Sequence, residues 1–149
     1  MANLVATISE TVTINGALRG SSNTYTVTDI LNTFERTVTC PHSNETIIAT
    51  FNSNVYGSAG AIDLENTKYI RVTNISATAV LDLAVSTTGT SYTVVLTPGA
   101  SHILCQADTT AKGYNSATAT FTTLEDIEKL TVKPRSTDDA NVEIFVGVV

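Results

Sequence analysis

A chain of 149 residues is enough for one domain with a real core, burying roughly 70% of the surface its unfolded form exposes. Its net charge of −6, with only eight Lys and Arg, excludes a basic nucleic-acid stripe or a docking face for anionic membranes. Charged residues make up 15%, well under the ~25% of ordinary domains, so Thr, Ser and Asn must supply most of the polar surface.

The opening "MANLVATISE" lacks the basic and long apolar regions of a secretory signal, and no run of about 18 apolar residues follows it. The chain is therefore expected to be made in a cytoplasm. These ten residues are expected either as the first strand of the fold or as an arm that reaches a neighbour, anchored by Leu4, Val5 and Ile8. "ETVTING" places Val12 and Ile14 on one face and closes on Asn15-Gly16, a tight-turn dipeptide. "TYTVTDIL" resumes the alternation. "FERTVTC" sets Phe34, Arg36, Val38 and Cys40 on one face and stops at Pro41, which cannot continue an interior ladder. "TIIATF" (46–51) is a further short strand, and "NSNVYGSAGAIDLENT" reads as an irregular surface loop.

From Lys68 the two-residue period is sustained. Ile70 and Val72 alternate with Tyr69 and Arg71, and "NIS" turns the chain. Leu81, Leu83 and Val85 share a face, "STTGTS" makes a hairpin loop, and Tyr92, Val94 and Leu96 lead to the turn Pro98-Gly99. "SHILC" returns as a strand. "TTLEDIEKL" carries the single helical signal, with Thr123 as cap and Leu124, Ile127 and Leu130 at three-residue spacing. "LTVKP", the polar turn "STDDAN" and "NVEIFVGVV" close the chain, the last with Val142, Ile144, Val146 and Val148 on one side. About nine strands with at most one short helix predict an all-β fold, an antiparallel two-sheet sandwich of jelly-roll type forming one domain over 1–149. No internal repeat points to a propeller or solenoid.

Residues able to do chemistry are few and scattered. His42 lies in the turn "CPHSNE", and His102 follows Pro98-Gly99; neither has a second ligand at helical spacing. Asp63 and Glu65 flank Leu64 and would share a face if extended, but their reading as a glycosidase pair is weaker than as solvated loop acids. A hydrolase would need at least two of these four groups in one cleft. Asp138-Asp139 offers too few oxygens for a calcium loop, and "LRGSSN" has no phosphate-cradle spacing. "NET" and "NIS" match a glycosylation pattern that has no meaning without secretion. Cys40 and Cys105 are expected as small buried hydrophobes, with a single bridge as the alternative. Tyr56 and Tyr114 fall in Gly/Asn-rich segments where they could stack on a sugar, although the chain has no Trp. No catalytic residue, metal or cofactor is expected.

The succession "KYIRVTNISATAVLDLAV … VVLTPGASHIL … EDIEKLTVKP … ANVEIFVG", with "TVTINGALRGSSNTYTVTDI" before it, resembles small all-β structural proteins of tailed-bacteriophage virions, particularly those of marine phages. The likeness spans most of the chain and rests on strand and turn motifs, so it carries over no site residue. It implies a non-enzymatic structural protein of the virion, and the expectation is a homo-oligomeric, trimeric capsid decoration or cement protein contacting the major capsid protein. A head-fibre, tail or spike component and a host-glycan binding module are the alternatives.

Overall fold

The structure, a computed structural model, describes residues 2–57, 59–105, 109–114, 118 and 121–149. Among the described residues there are fourteen strands and no α-helix. The first four strands stand apart from the rest. Strand β1 (Ala2–Ser9) pairs antiparallel with β4 (Ser22–Ile30), and between them β2 (Val12–Ile14) pairs with β3 (Ala17–Arg19). Asn15 and Gly16 join β2 to β3 with φ of 50° and 78°, the two positive angles that a two-residue type I′ hairpin turn requires. Residues 2–30 thus form one long two-stranded arm.

The body follows. It is built from β5 (Asn32–Cys40), β6 (Thr46–Asn52), β7 (Ile62–Asp63), β8 (Thr67–Asn74), β9 (Leu81–Thr87), β10 (Ser91–Leu96), β11 (Ser101–Cys105), β12 (Thr110–Ala111), β13 (Glu125–Pro134) and β14 (Ala140–Val148). One sheet runs β10-β9-β13-β6-β7, with β12 also on β13; the other runs β11-β8-β14-β5. All pairings are antiparallel except the short β6–β7 contact. The inward side chains are the alternating ones expected: Leu81, Leu83 and Val85 of β9 and Val142, Ile144 and Val146 of β14 are all 0% exposed. With Ile70, Val72, Leu96, Ile127, Leu130 and Val132 they make one apolar core between the two sheets. The fold is an all-β antiparallel sandwich.

The segment expected to contain a helical turn is instead the start of β13. Ile127 and Leu130 are both buried, three residues apart, because the register steps two residues on β13 (Ile127 to Lys129) for one on β9 (Thr87 to Ser86). This β-bulge changes the parity of the strand and imitates a helical period. A second bulge, on β6, opposes Leu130 and Thr131 to Ala49 and Ile47, so that neighbours Ile48 and Ala49 both face inward.

One buried polar side chain ties the turns of the sandwich together. Asn74, 0% exposed, donates through Nδ2 to the carbonyls of Ala79 (2.8 Å) and Leu96 (2.9 Å) and accepts at Oδ1 from the Ser76 amide (3.0 Å). Both donors and the carbonyl oxygen of that amide are engaged, which is what lets it sit in an apolar interior. The "NIS" acceptor pattern is therefore closed to any modification of the folded chain. Cys40 and Cys105 are both free thiols. They lie on opposite edge strands of one sheet and toward opposite ends of it, more than ~20 Å apart by strand spacing and rise, far beyond disulfide reach.

Candidate subunit-contact surface

The arm divides into an inner part that covers its own body and an outer part that covers nothing. On the inner part Leu4 pairs with Val27 and Ala6 with Tyr25, so these four side chains share the face turned to the sandwich. They lie on the outer side of the β11-β8-β14-β5 sheet. Leu4, Val5 and Ala6 line a shallow cleft with Tyr69, Arg71 and Phe145. Tyr69, only 7% exposed, meets Phe145 edge to face at 6.0 Å between ring centres. Beside them Gly147 leaves the space that Leu4 occupies, since a Cβ there would come within 2.9 Å of the Leu4 Cδ1 atom and 3.4 Å of the Ile30 Cδ1 atom. Farther along, burial pushes the pKa of Tyr25 up, and Cys105 of edge strand β11, once ionised, adds to the rise. The arm thus crosses from β14 over β8 toward β11.

Beyond that edge every residue from Thr7 to Thr24 is exposed. Ile8 is 46%, Val12 50%, Ile14 54% and Leu18 74% exposed. The hairpin continues through this region by the Glu10 amide donating to the Ser21 carbonyl (2.8 Å). At the same place Gly20, at φ +134°, passes so close to Glu10 that a side chain would collide with its carbonyl. The three residues expected as anchors therefore have different surroundings: Leu4 is tucked against Gly147, Val5 is 61% exposed on the outward face, and Ile8 lies just beyond the covered part. Val12, Ile14 and Leu18 add more exposed apolar surface than these three; the first two were legible only as ordinary strand residues, and Leu18, expected in the loop "LRGSSN", lies instead on β3 because Ala17–Arg19 pairs with Val12–Ile14.

At the opposite edge of the sandwich, where β5 and β7 lie, the arm's root borders a trough of about 490 Å³ lined by Leu31, Phe34, Val55, Ile62, Val148 and Asp63, among others. Leu31 is 83% exposed.

The residues considered for chemistry do not meet. His42 bonds through its amide and Nδ1 to Asp139 Oδ1 (both 3.0 Å) on the surface, which holds the Asp139 carboxyl below its usual range. His102 lies at the β10–β11 edge, its Nε2 3.1 Å from the Tyr92 hydroxyl; burial holds its pKa below the ordinary value and pushes that of Tyr92 up. Asp63 is occupied locally, accepting from the Glu65 amide (3.1 Å) and the Asn66 side chain (2.9 Å) in a turn that orients β7 toward β8. Glu125 is the most strongly perturbed acid. The hydroxyls of Thr87 (2.7 Å) and Thr90 (3.0 Å), Lys112 Nζ (3.2 Å) and the Gly89 amide (3.2 Å) surround it and hold its pKa at about 2, stapling the β9–β10 loop to β13. Among the described residues no three His, Cys, Asp or Glu side chains gather as a metal site would require. Tyr56 is fully exposed on a 3₁₀ turn (Val55–Gly57). Tyr114 borders a different cleft, with Thr90, Ser91 and Gly113, and its hydroxyl lies 3.3 Å from Thr122 Oγ1.

Comparison with protein-family models, with curated proteins and with solved structures found no significant match to this chain.

Proposed function

We propose that this chain is a non-enzymatic structural subunit of a tailed-phage virion, a homo-oligomeric decoration or cement protein that stabilises a shell through contacts with its own copies and with the major capsid protein. The observation that carries this reading is the arm. A two-stranded ribbon is marginally stable in water by itself, and this one extends from Thr7 to Thr24 without covering any part of its own chain. Four exposed apolar side chains along it suit contact with another subunit better than contact with solvent. The strand and turn motifs quoted above are what suggest a virion as the setting.

The order of the body strands supports a finer reading, a jelly roll. Counting the eight long body strands in sequence, one sheet is 5-4-7-2 and the other 6-3-8-1, the arrangement that two nested Greek keys produce. Such a body offers rigid sheets and free edges, and contact through them adds stability by mass action with no chemistry.

The test is the heat stability of purified phage shells with and without the protein, and with a variant lacking residues 10–21. The reading predicts that the full chain raises the temperature at which shells open and that the shortened chain does not. Equal opening temperatures in all three samples would contradict it. A glycan-binding role, in contrast, predicts saturable sugar binding lost in Tyr56→Ala or Tyr114→Ala.

A further inference from the structure

We infer that the outer end of the arm docks head to tail into the trough at the arm root of a second copy of this chain, with Arg19 of one copy set against Asp63 of the next. The inference deepens the assembly reading above, and names the surface and the partner. Three observations carry it.

The first is geometry. The arm lies over β14 and β8 and heads for the β11 edge of the sandwich, and the trough lies between β5 and β7 at the other edge. From Ala17 to Ile30 the ribbon spans at most about 43 Å at ~3.3 Å per residue, and it leads away from its own root. Its tip and its own trough therefore stay at opposite ends, and an occupant of the trough has to come from another molecule. Placing complementary elements on opposite edges is what a heterologous, ring-forming contact needs.

The second is chemistry. Val12 pairs with Arg19 and Ile14 with Ala17, so one face at the arm's end presents three apolar side chains and a single cation. Arg19 is exposed and is the arm's one basic residue. The trough presents Leu31, Phe34, Val55, Ile62 and Val148 around one acidic side chain, Asp63. In a chain of net charge −6, bodies repel each other, and the arm between Thr7 and Thr24, with one Glu and one Arg, is the neutral element that can approach.

The third is area. One ribbon face of about 30 by 10 Å is small beside the ~800 Å² per partner of a standard interface. Copies joined head to tail each give an arm and receive one, which doubles what each subunit buries. A different protein lying on the arm returns nothing comparable.

The experiment is sedimentation of the full-length chain from 1 to 200 µM in the wild type and four variants: Arg19→Gln, Asp63→Asn (which keeps an acceptor for the 63–66 turn), their double variant, and Val12→Asp/Ile14→Asp. The inference predicts concentration-dependent association of the wild type that weakens with added salt. Arg19→Gln and Asp63→Asn should each weaken it about fivefold, with no further loss in the double variant. Val12→Asp/Ile14→Asp should abolish it while leaving the circular dichroism spectrum unchanged. A wild type that stays monomeric throughout, or single variants whose effects are absent or simply add, would overturn the inference. A monomer that still protects shells would leave the virion reading intact and assign the arm to a different partner. An oligomer that fails to protect shells would do the reverse.

Discussion

Strand β9 and the arm's end are written in the same alphabet and meet opposite fates. In β9, Leu83 and Val85 alternate with small polar or apolar residues and are 0% exposed beneath a second sheet. In β2, Val12 and Ile14 alternate in the same way and are 50% and 54% exposed. The difference is not in either strand but in what lies across from it. β9 is flanked by β10 and β13 and faces β14 and β8 through a shared core, whereas β2 has only β3 beside it. A period of two says that a strand has two unlike faces; it does not say that anything within the same chain will cover the apolar one.

The sharpest way to break this comparison is to truncate one leucine in each region. Leu83→Ala should cost about 2–5 kcal/mol in urea unfolding, because it empties a closed part of the core. Leu18→Ala, at a side chain 74% exposed, should change the stability of a dilute monomer by less than ~0.5 kcal/mol. A comparable loss at both positions would mean that the arm's end is packed within a single copy. Next in size, Asn74→Ala removes both donors that hold the Ala79 and Leu96 carbonyls and should cost about 2–3 kcal/mol, measured the same way. It should leave hydrogen exchange in the arm unaltered.

The two regions should also part company as acid is added. The pKa of His102 lies below the ordinary 6.5, so the unfolded chain takes up that proton more readily than the folded one. Stability from this site is therefore full at neutral pH and falls as the pH drops below about 6.5. His102→Gln should flatten that part of the pH profile. Glu125, at about 2 against its ordinary 4.5, contributes stability above pH 4.5 that is lost as the pH falls toward 2. Glu125→Gln should reduce the acid-side slope, leaving the part due to Asp139, and loosen the β9–β10 loop. The smallest effect expected is at the join between the regions. Gly147→Val crowds the space held by Leu4 and should speed exchange at residues 2–6 by loosening the arm, with a change of about 1 kcal/mol or less in the body.

Much of the body was legible because half-buried antiparallel strands enforce alternation, and the runs around Ile70, Leu83, Val94 and Val142 stand where that pattern puts them. The type I′ turn at Asn15-Gly16 was legible for a different reason, its need for two positive φ angles. The bulge at Glu128–Lys129 was not, since an inserted residue produces the same three-residue spacing of Ile127 and Leu130 that a helical turn would. Nor was the extent of the arm. The first ten residues alone suggested one, yet it runs to Ile30, because β1 needs β4 as its partner and long-range pairing leaves no local mark. Asp63 and Arg19 carried no signal as a pair, since one lies at an edge of the sandwich and the other near the end of the arm.

The central claim is that residues 7–24 are bare on one copy and covered by another, and hydrogen–deuterium exchange across a dilution series measures this directly. The account predicts slow exchange at Val12–Arg19 in concentrated, assembled protein and fast exchange at high dilution, with β8 and β14 equally protected in both. Exchange in the arm that is independent of concentration, whether fast or slow, would contradict it.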